Sequence, residues 1–185
     1  MKFLKQIRLK TALYLLKRKS KNRNRRIKAI NLDQVQSMAI IYEVDEPASR
    51  KFIANFIQPF LSKGVMCRVY GYIHTPNERH SYISDNIYTF FSEKDLTFLA
   101  EPKEGVMDDF IDRDWDLLLM ATQNFHFPLK WMLKLSKGKF KVGPSGHYSD
   151  ELDFMIEGKD LSSELIINEI KHYLGDLKIA QSEMA

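Results

Sequence analysis

Several short polar clusters in this 185-residue chain follow apolar runs and carry the residue types that proton transfer needs. Asp45 and Glu46 come after the run 38–42, His74 and Thr75 after 65–73, and Thr122, Gln123, Asn124 and His126 after 115–121. Ser145, Gly146 and His147 follow the Gly143-Pro144 pair. An imidazole within reach of a carboxylate takes and returns a proton near neutral pH, so His126 or His147 beside a carboxylate such as Asp45 is the acid–base arrangement to seek. Asp45, His74, Asn124, His126, Ser145 and His147 therefore form the candidate ligand pocket, on condition that the fold gathers those run ends. Against a reaction, polar residues populate every surface loop, and five histidines in a chain of this length give such pairings by composition alone. No catalytic residue is assigned on this basis, and the expectation leans away from an enzyme.

Phosphate and metal chemistry find less support. Closely spaced glycines let backbone N–H groups approach a phosphate at a helix start, but the first apolar run leads into Glu43-Val44-Asp45-Glu46-Pro47, where carboxylates would repel a pyrophosphate. Gly143-Pro144-Ser145-Gly146 reads as a turn. His147 near Asp150, Glu151 and Asp153, and His74 six residues before His80, lack the tight helical or knuckle spacing of a metal site. The acidic tract Asp108, Asp109, Asp112, Asp114 and Asp116 lacks the glycine-centred calcium-loop pattern and reads as a solvated face. No cofactor and no metal are expected. The single cysteine, Cys67, lies in the apolar run 65–70 and reads as a small buried hydrophobe.

The elements that must position these residues follow from periodicity. Apolar residues at helical spacing with basic residues between them predict an N-terminal basic amphipathic helix over 2–20. Residues 38–42 read as a buried strand, 47–64 as a helix with Pro59 near its end, and 65–73 as a second strand: the β-α-β unit of a parallel sheet. The stretch 74–95 reads as a long loop with one edge strand, 96–99 as a further short strand and 106–111 as a short helix. Residues 115–121 predict a central strand, 128–138 a helix opened by Pro128, 140–143 and 152–156 strands, and 161–174 a closing amphipathic helix. The alternation predicts an α/β domain: a three-layer, doubly wound arrangement around a mostly parallel sheet. Its expected extent is 33–177, between a basic helical arm at 1–32 and a tail at 178–185.

Charge separates that arm from the rest. Twelve of the 28 Lys and Arg residues lie in the first 32 positions, and the first acidic residue is Asp33. The remainder holds sixteen basic against 24 acidic residues, a formal −8 behind a leader of +12. The leader does not read as a secretory signal, since its apolar cluster 12–16 is too short and ends in Lys17-Arg18-Lys19; no stretch reaches the length of a membrane span. The expected setting is the cytoplasm. Positions 17–26 hold seven cations among only Ser and Asn, a density that frays a free segment and favours ordering on phosphates. Lys10, Lys17, Arg18, Lys19, Lys21, Arg23, Arg25, Arg26 and Lys28 are the candidate phosphate contacts. With only Phe3 and Tyr14 as aromatic residues in the arm, stacking on single-stranded bases is not indicated, and folded RNA backbone is the better fit. The expected function is thus non-catalytic association with RNA, ribosomal RNA or a ribosomal particle above all. A peripheral role on an anionic membrane surface, a protein partner for the acidic domain, and a small transferase-like enzyme are the alternatives.

The basic leader, the strand 38–42, Val69-Tyr70-Gly71-Tyr72, Trp115-Asp116-Leu117-Leu118, Pro128-Leu129 and Lys139-Phe140-Lys141-Val142-Gly143 together resemble an uncharacterised family of short Bacteroidota proteins known only as a domain of unknown function. The resemblance covers nearly the whole chain. It implies a bacterial cytoplasmic setting and carries no activity, cofactor or catalytic residue. The five residues 139–143 are also similar to sugar-transferase α/β domains, whose two-domain form needs a longer chain.

Overall fold

The computed structural model describes residues 2–21, 23–44, 47–74 and 82–177. Six strands form one all-parallel sheet: β1 (Ser37–Glu43), β2 (Met66–Ile73), β3 (Tyr88–Ser92), β4 (Leu117–Met120), β5 (Phe140–Pro144) and β6 (Phe154–Ile156). Their order across the sheet is β3-β2-β1-β4-β5-β6. The chain builds outward from β1 through β2 to β3, then returns to lay β4 on the other side of β1. That reversal makes the β1/β4 boundary a topological switch point.

Because side chains alternate along a strand, β1 divides its residues between the two faces. Met38, Ile40 and Tyr42 enter one core with Ile53 and Ile57 of α2 (Pro47–Ser62) and Ile166 and Ile170 of α5 (Ser163–Gly175). Ala39 and Ile41 enter the opposite core, with Phe110 of α3 (Asp108–Asp112), Leu129 and Leu133 of α4 (Phe127–Leu135), and Ala12 and Leu16 of α1 (Lys2–Ser20). Three layers result, as the alternation of elements predicts. Pro59 stays inside α2 without ending it, since the turn it disrupts is the last one. Residues 96–99 do not form a strand: Thr97 N–H bonds to Glu101 O and Ala100 N–H to Thr97 O, closing a turn with Ala100 at φ 59°, and only Leu96 bridges to Pro102. The edge strand expected within 74–95 is β3, set off by Asp85, whose Oδ1 accepts from the N–H groups of Ile87 and Tyr88 at 2.7 Å each.

The leader is built into this architecture. Helix α1 lies on α4, with Ala12 and Leu16 buried and Leu9 and Leu13 packed beside them. Its amphipathic character is weaker than the spacing of apolar residues implies, because Arg8 and Lys19 sit on its domain side, where Arg8 stacks over Phe98 and Lys19 faces Trp131. Beyond the helix, Lys28 N–H donates to Lys139 O at the foot of β5, and Ile30 and Leu32 are buried. The tail 178–185 lies outside the described residues.

Candidate functional site

The nine cations expected to grip phosphates divide into two groups with different partners. Three turn inward. Lys19 Nζ lies 2.6 Å from Glu101 Oε2. Arg23 donates to Ile111 O, Leu135 O and Asp112 Oδ1 at 3.0 to 3.4 Å. Arg25 donates to Gly138 O and forks onto Asp153 with N···O distances of 2.7 and 2.5 Å. The carbonyls chosen by Arg23 belong to the last turns of α3 and α4, which have no intrahelical donors left and carry the negative end of the helix dipole. Lys141 does the same from below: its buried Nζ donates to Leu133 O at 2.5 Å and Ser136 O at 3.0 Å. Burial, with Arg25 nearby, pushes the Lys141 pKa down to about 7. A neutral amine still has two N–H groups, matching those two carbonyls. Part of the basic density at 17–26 is therefore structural: it caps helix C-termini and neutralises Asp112, Asp153 and Glu101. The corresponding acidic tract is not wholly solvated either, since Asp116 accepts from the N–H groups of Gln36 and Ser37 and pairs with Lys139 at 2.8 Å, which holds its carboxyl below the usual range despite burial.

The other six cations face solvent. Lys10, Lys17, Arg18 and Lys21 follow one another at helical spacing along the outer side of α1, with Tyr14 exposed between them. Arg26 and Lys28 continue the exposed surface in the segment after the helix. Among the described residues none of these six has a carboxylate partner. At 1.5 Å per residue, Lys10 to Arg18 spans about 12 Å of helix, and Lys21 follows just past its end. The charges on this face are all positive, with Tyr14 and Ile27 exposed between them, on an otherwise acidic chain.

At the opposite functional position, the carboxyl ends of the strands, the fold gathers part of the predicted pocket. Glu43, the last residue of β1, is buried and accepts from Asn124 Nδ2 at 2.7 Å and Thr122 Oγ1 at 3.4 Å. His126 Nε2 lies 2.9 Å from Glu43 Oε1, within ion-pair distance but off the line of a good hydrogen bond. Burial alone would raise the Glu43 pKa; His126 and Asn124, with His74 further off, outweigh it and hold the carboxyl below its ordinary value. Tyr148, fully buried, accepts from His126 N–H at 2.9 Å and donates to Asn124 O at 2.7 Å, so the loop after β4 is clamped. The His74 ring centre is 5.2 Å from that of His126, and Tyr72 stands 5.0 Å from His126.

Of the six predicted pocket residues, His74, Asn124 and His126 thus come together. Ser145 and His147 do not join them. Ser145 N–H donates to Ile156 O of β6, and the His147 ring packs on Phe125 at 5.4 Å. Asp45 lies outside the described residues. The carboxylate partner of His126 is Glu43, two residues earlier than the one expected, because the strand continues one residue past Tyr42 and presents Glu43 at the switch point. Tyr72 and Tyr148 also went unassigned, their aromatic rings being indistinguishable in sequence from ordinary core.

The remaining candidates settle simply. The turn expected over Gly143–Gly146 begins later than that: Gly143 and Pro144 end β5 and pair with β6, and only past Ser145 does the chain turn, with Gly146 N–H taken by Ser149 Oγ at 2.8 Å. Gly143 itself is needed where β5 passes β4: a Cβ there would stand 2.7 Å from Met120 Cβ. Cys67 is buried, and burial pushes its thiol up to about 11. Among the described residues no group of three or more His, Cys, Asp or Glu is poised to hold a metal ion, and no helix is long and apolar enough to cross a membrane.

The fold and these surfaces define a three-layer α/β protein of doubly wound strand order, with a cationic leader built onto one of its helical layers. The chain belongs to a family of unknown function, DUF6913, whose model matches residues 8–177 and so takes in most of the leader together with the sheet. No curated protein and no solved structure matches the chain.

Proposed function

We propose that this protein associates with structured RNA, ribosomal RNA or a ribonucleoprotein particle in the cytoplasm, through the outer face of α1 and the segment that follows it. The observation that carries this reading is the set of six exposed cations, Lys10, Lys17, Arg18, Lys21, Arg26 and Lys28, that no carboxylate of the described residues neutralises. An exposed surface without functional demand mixes both signs, and the leader does not. Lys19, Arg23 and Arg25 leave the contact set, because their donors are already engaged within the molecule. Binding then needs no ordering of a free arm: Lys10, Lys17 and Arg18 stand on a preformed helix, Lys21, Arg26 and Lys28 on the segment that follows it, and phosphate contacts displace counterions from both.

The same strip suits RNA better than lipid. Insertion into a headgroup boundary needs the apolar side of the helix, and that side is occupied: Ala12 and Leu16 are buried against the domain, with Leu9 and Leu13 beside them. Among the described residues what α1 offers outward is chiefly charge, with Ile7 and Tyr14 as its exposed apolar side chains. The test is a co-sedimentation of the intact protein with ribosomal particles and, separately, with anionic vesicles, with and without nuclease. Nuclease-sensitive association released by salt supports the reading, whereas nuclease-resistant flotation with vesicles overturns it.

A further inference from the structure

A cleft of about 260 Å³ opens between α1 and the carboxyl ends of β2 and β4, on a different part of the surface from the basic strip and independent of any RNA contact. Its floor is made by the rings of Tyr72, His74 and His126, and its polar margin by Arg8 of α1 and Glu93 just after β3. Three features make this a built site. It lies at the switch point, where the ends of β1 and β4 diverge and an open parallel sheet offers its natural crevice. Behind the floor sits Glu43, only 9% exposed yet kept ionised by Asn124, Thr122 and His126, an arrangement costly to maintain in a core with no use for it. The loop that carries His126 is clamped on both sides by Tyr148, while Nδ1 of His126 makes no hydrogen bond to any described residue.

The charges at the margin fix the class of ligand. Arg8 has no carboxylate partner among the described residues; its guanidinium stands 5.0 Å from the centre of the Phe98 ring, leaving its N–H fork available to a planar anion. Glu43 beneath and Glu93 at the margin bring negative charge to the same small space, so one anionic charge is accommodated at Arg8 and a second is repelled. The rest of the wall is apolar, with Leu9, Leu99 and Phe125 facing the opening. We propose that this cleft binds a small monocarboxylate with an apolar or aromatic body, its carboxylate held by Arg8 and its body lying against the Leu99 and Phe125 wall above the His126 ring.

Benzoate is the probe, with phenyl phosphate as the dianionic counterpart, and binding is followed by the histidine ring resonances and by ligand-observed saturation transfer on the full chain. Benzoate is expected to bind at one site and to perturb the His74 and His126 signals, with phenyl phosphate weaker. Arg8→Gln should weaken benzoate at least tenfold. Glu93→Gln should tighten it several-fold and bring phenyl phosphate closer to it, a gain that misfolding cannot mimic. The triple change Lys17→Gln, Arg18→Gln, Lys21→Gln on the basic strip should leave benzoate binding as it was, which separates this site from the RNA reading. Absence of benzoate binding, tighter binding of phenyl phosphate than benzoate, or a Glu93→Gln protein with unchanged affinity overturns the proposal.

Discussion

Neutralising half of the exposed strip gives the sharpest quantitative expectation. The six unpartnered cations, each releasing its share of counterions, set a slope of log affinity against log salt of about −4 on single-stranded and about −5 on duplex nucleic acid. That corresponds to a loss of roughly 300-fold to 2,000-fold in affinity between about 50 and 200 mM salt. Changing Lys17, Arg18 and Lys21 together to Gln removes three of the six, so the slope should fall to about half, near −2 to −3, with the loss similar for every RNA sequence tried. These side chains are exposed and make no ion pair among the described residues, so folding stability should stay within about 0.5 kcal/mol of the parent. Were Lys19, Arg23 and Arg25 to leave their internal partners for phosphates, nine contacts would steepen the slope to about −6 to −8. Fluorescence anisotropy of a labelled RNA hairpin across a potassium chloride series measures all of this. A slope unchanged by the triple substitution, or one that Arg25→Gln halves without unfolding the protein, refutes the division of the leader into structural and exposed cations.

Further expectations follow from the interior. Arg25→Ala takes the charged donor from Asp153, which keeps only the Lys141 N–H, and leaves the Gly138 carbonyl without that guanidinium, and should cost about 3 kcal/mol in urea denaturation while leaving the RNA salt slope alone. Lys141 has a folded pKa of about 7 against 10.5 unfolded, so the unfolded chain binds more protons between those values; its contribution to stability should grow as pH rises from about 7 to 10.5, and Lys141→Met should flatten that part of the profile. Glu43 follows the same linkage in the acid range: its depressed pKa stabilises the fold above the ordinary carboxylate range, and the gain is lost as pH falls through the folded value, so Glu43→Gln should lessen acid sensitivity below about pH 4.5 in denaturation curves. Cys67 should react with a disulfide reagent at the rate of unfolding rather than that of a free thiol, since its thiol is buried and its pKa is about 11.

The strands and helices were legible because each carries its own period and punctuation: the run 117–121 is apolar throughout, and Pro128 opens α4. Residues 96–99 misled because Leu96 and Phe98 alternate as a strand would, although Phe98 is exposed and stacks under Arg8 where the chain turns at Ala100. Charge segregation of the leader was equally plain, but its meaning was only half readable. Nothing in the order of residues tells that Arg23 will find two helix ends 88 and 112 positions away, since such caps are set by tertiary geometry. The site at the switch point was visible as His74, Asn124 and His126; its carboxylate was missed by two positions because the end of a strand is the least certain part of its reading.

Ultraviolet cross-linking of the intact protein to RNA in cells, followed by mapping of the linked peptides, tests the central claim most directly. Cross-links should fall on the outer face of α1 and on the segment around Arg26 and Lys28, and should disappear in the Lys17, Arg18 and Lys21 triple variant. Cross-links confined to the acidic side of the sheet, or none above background from a well-folded protein, would contradict it.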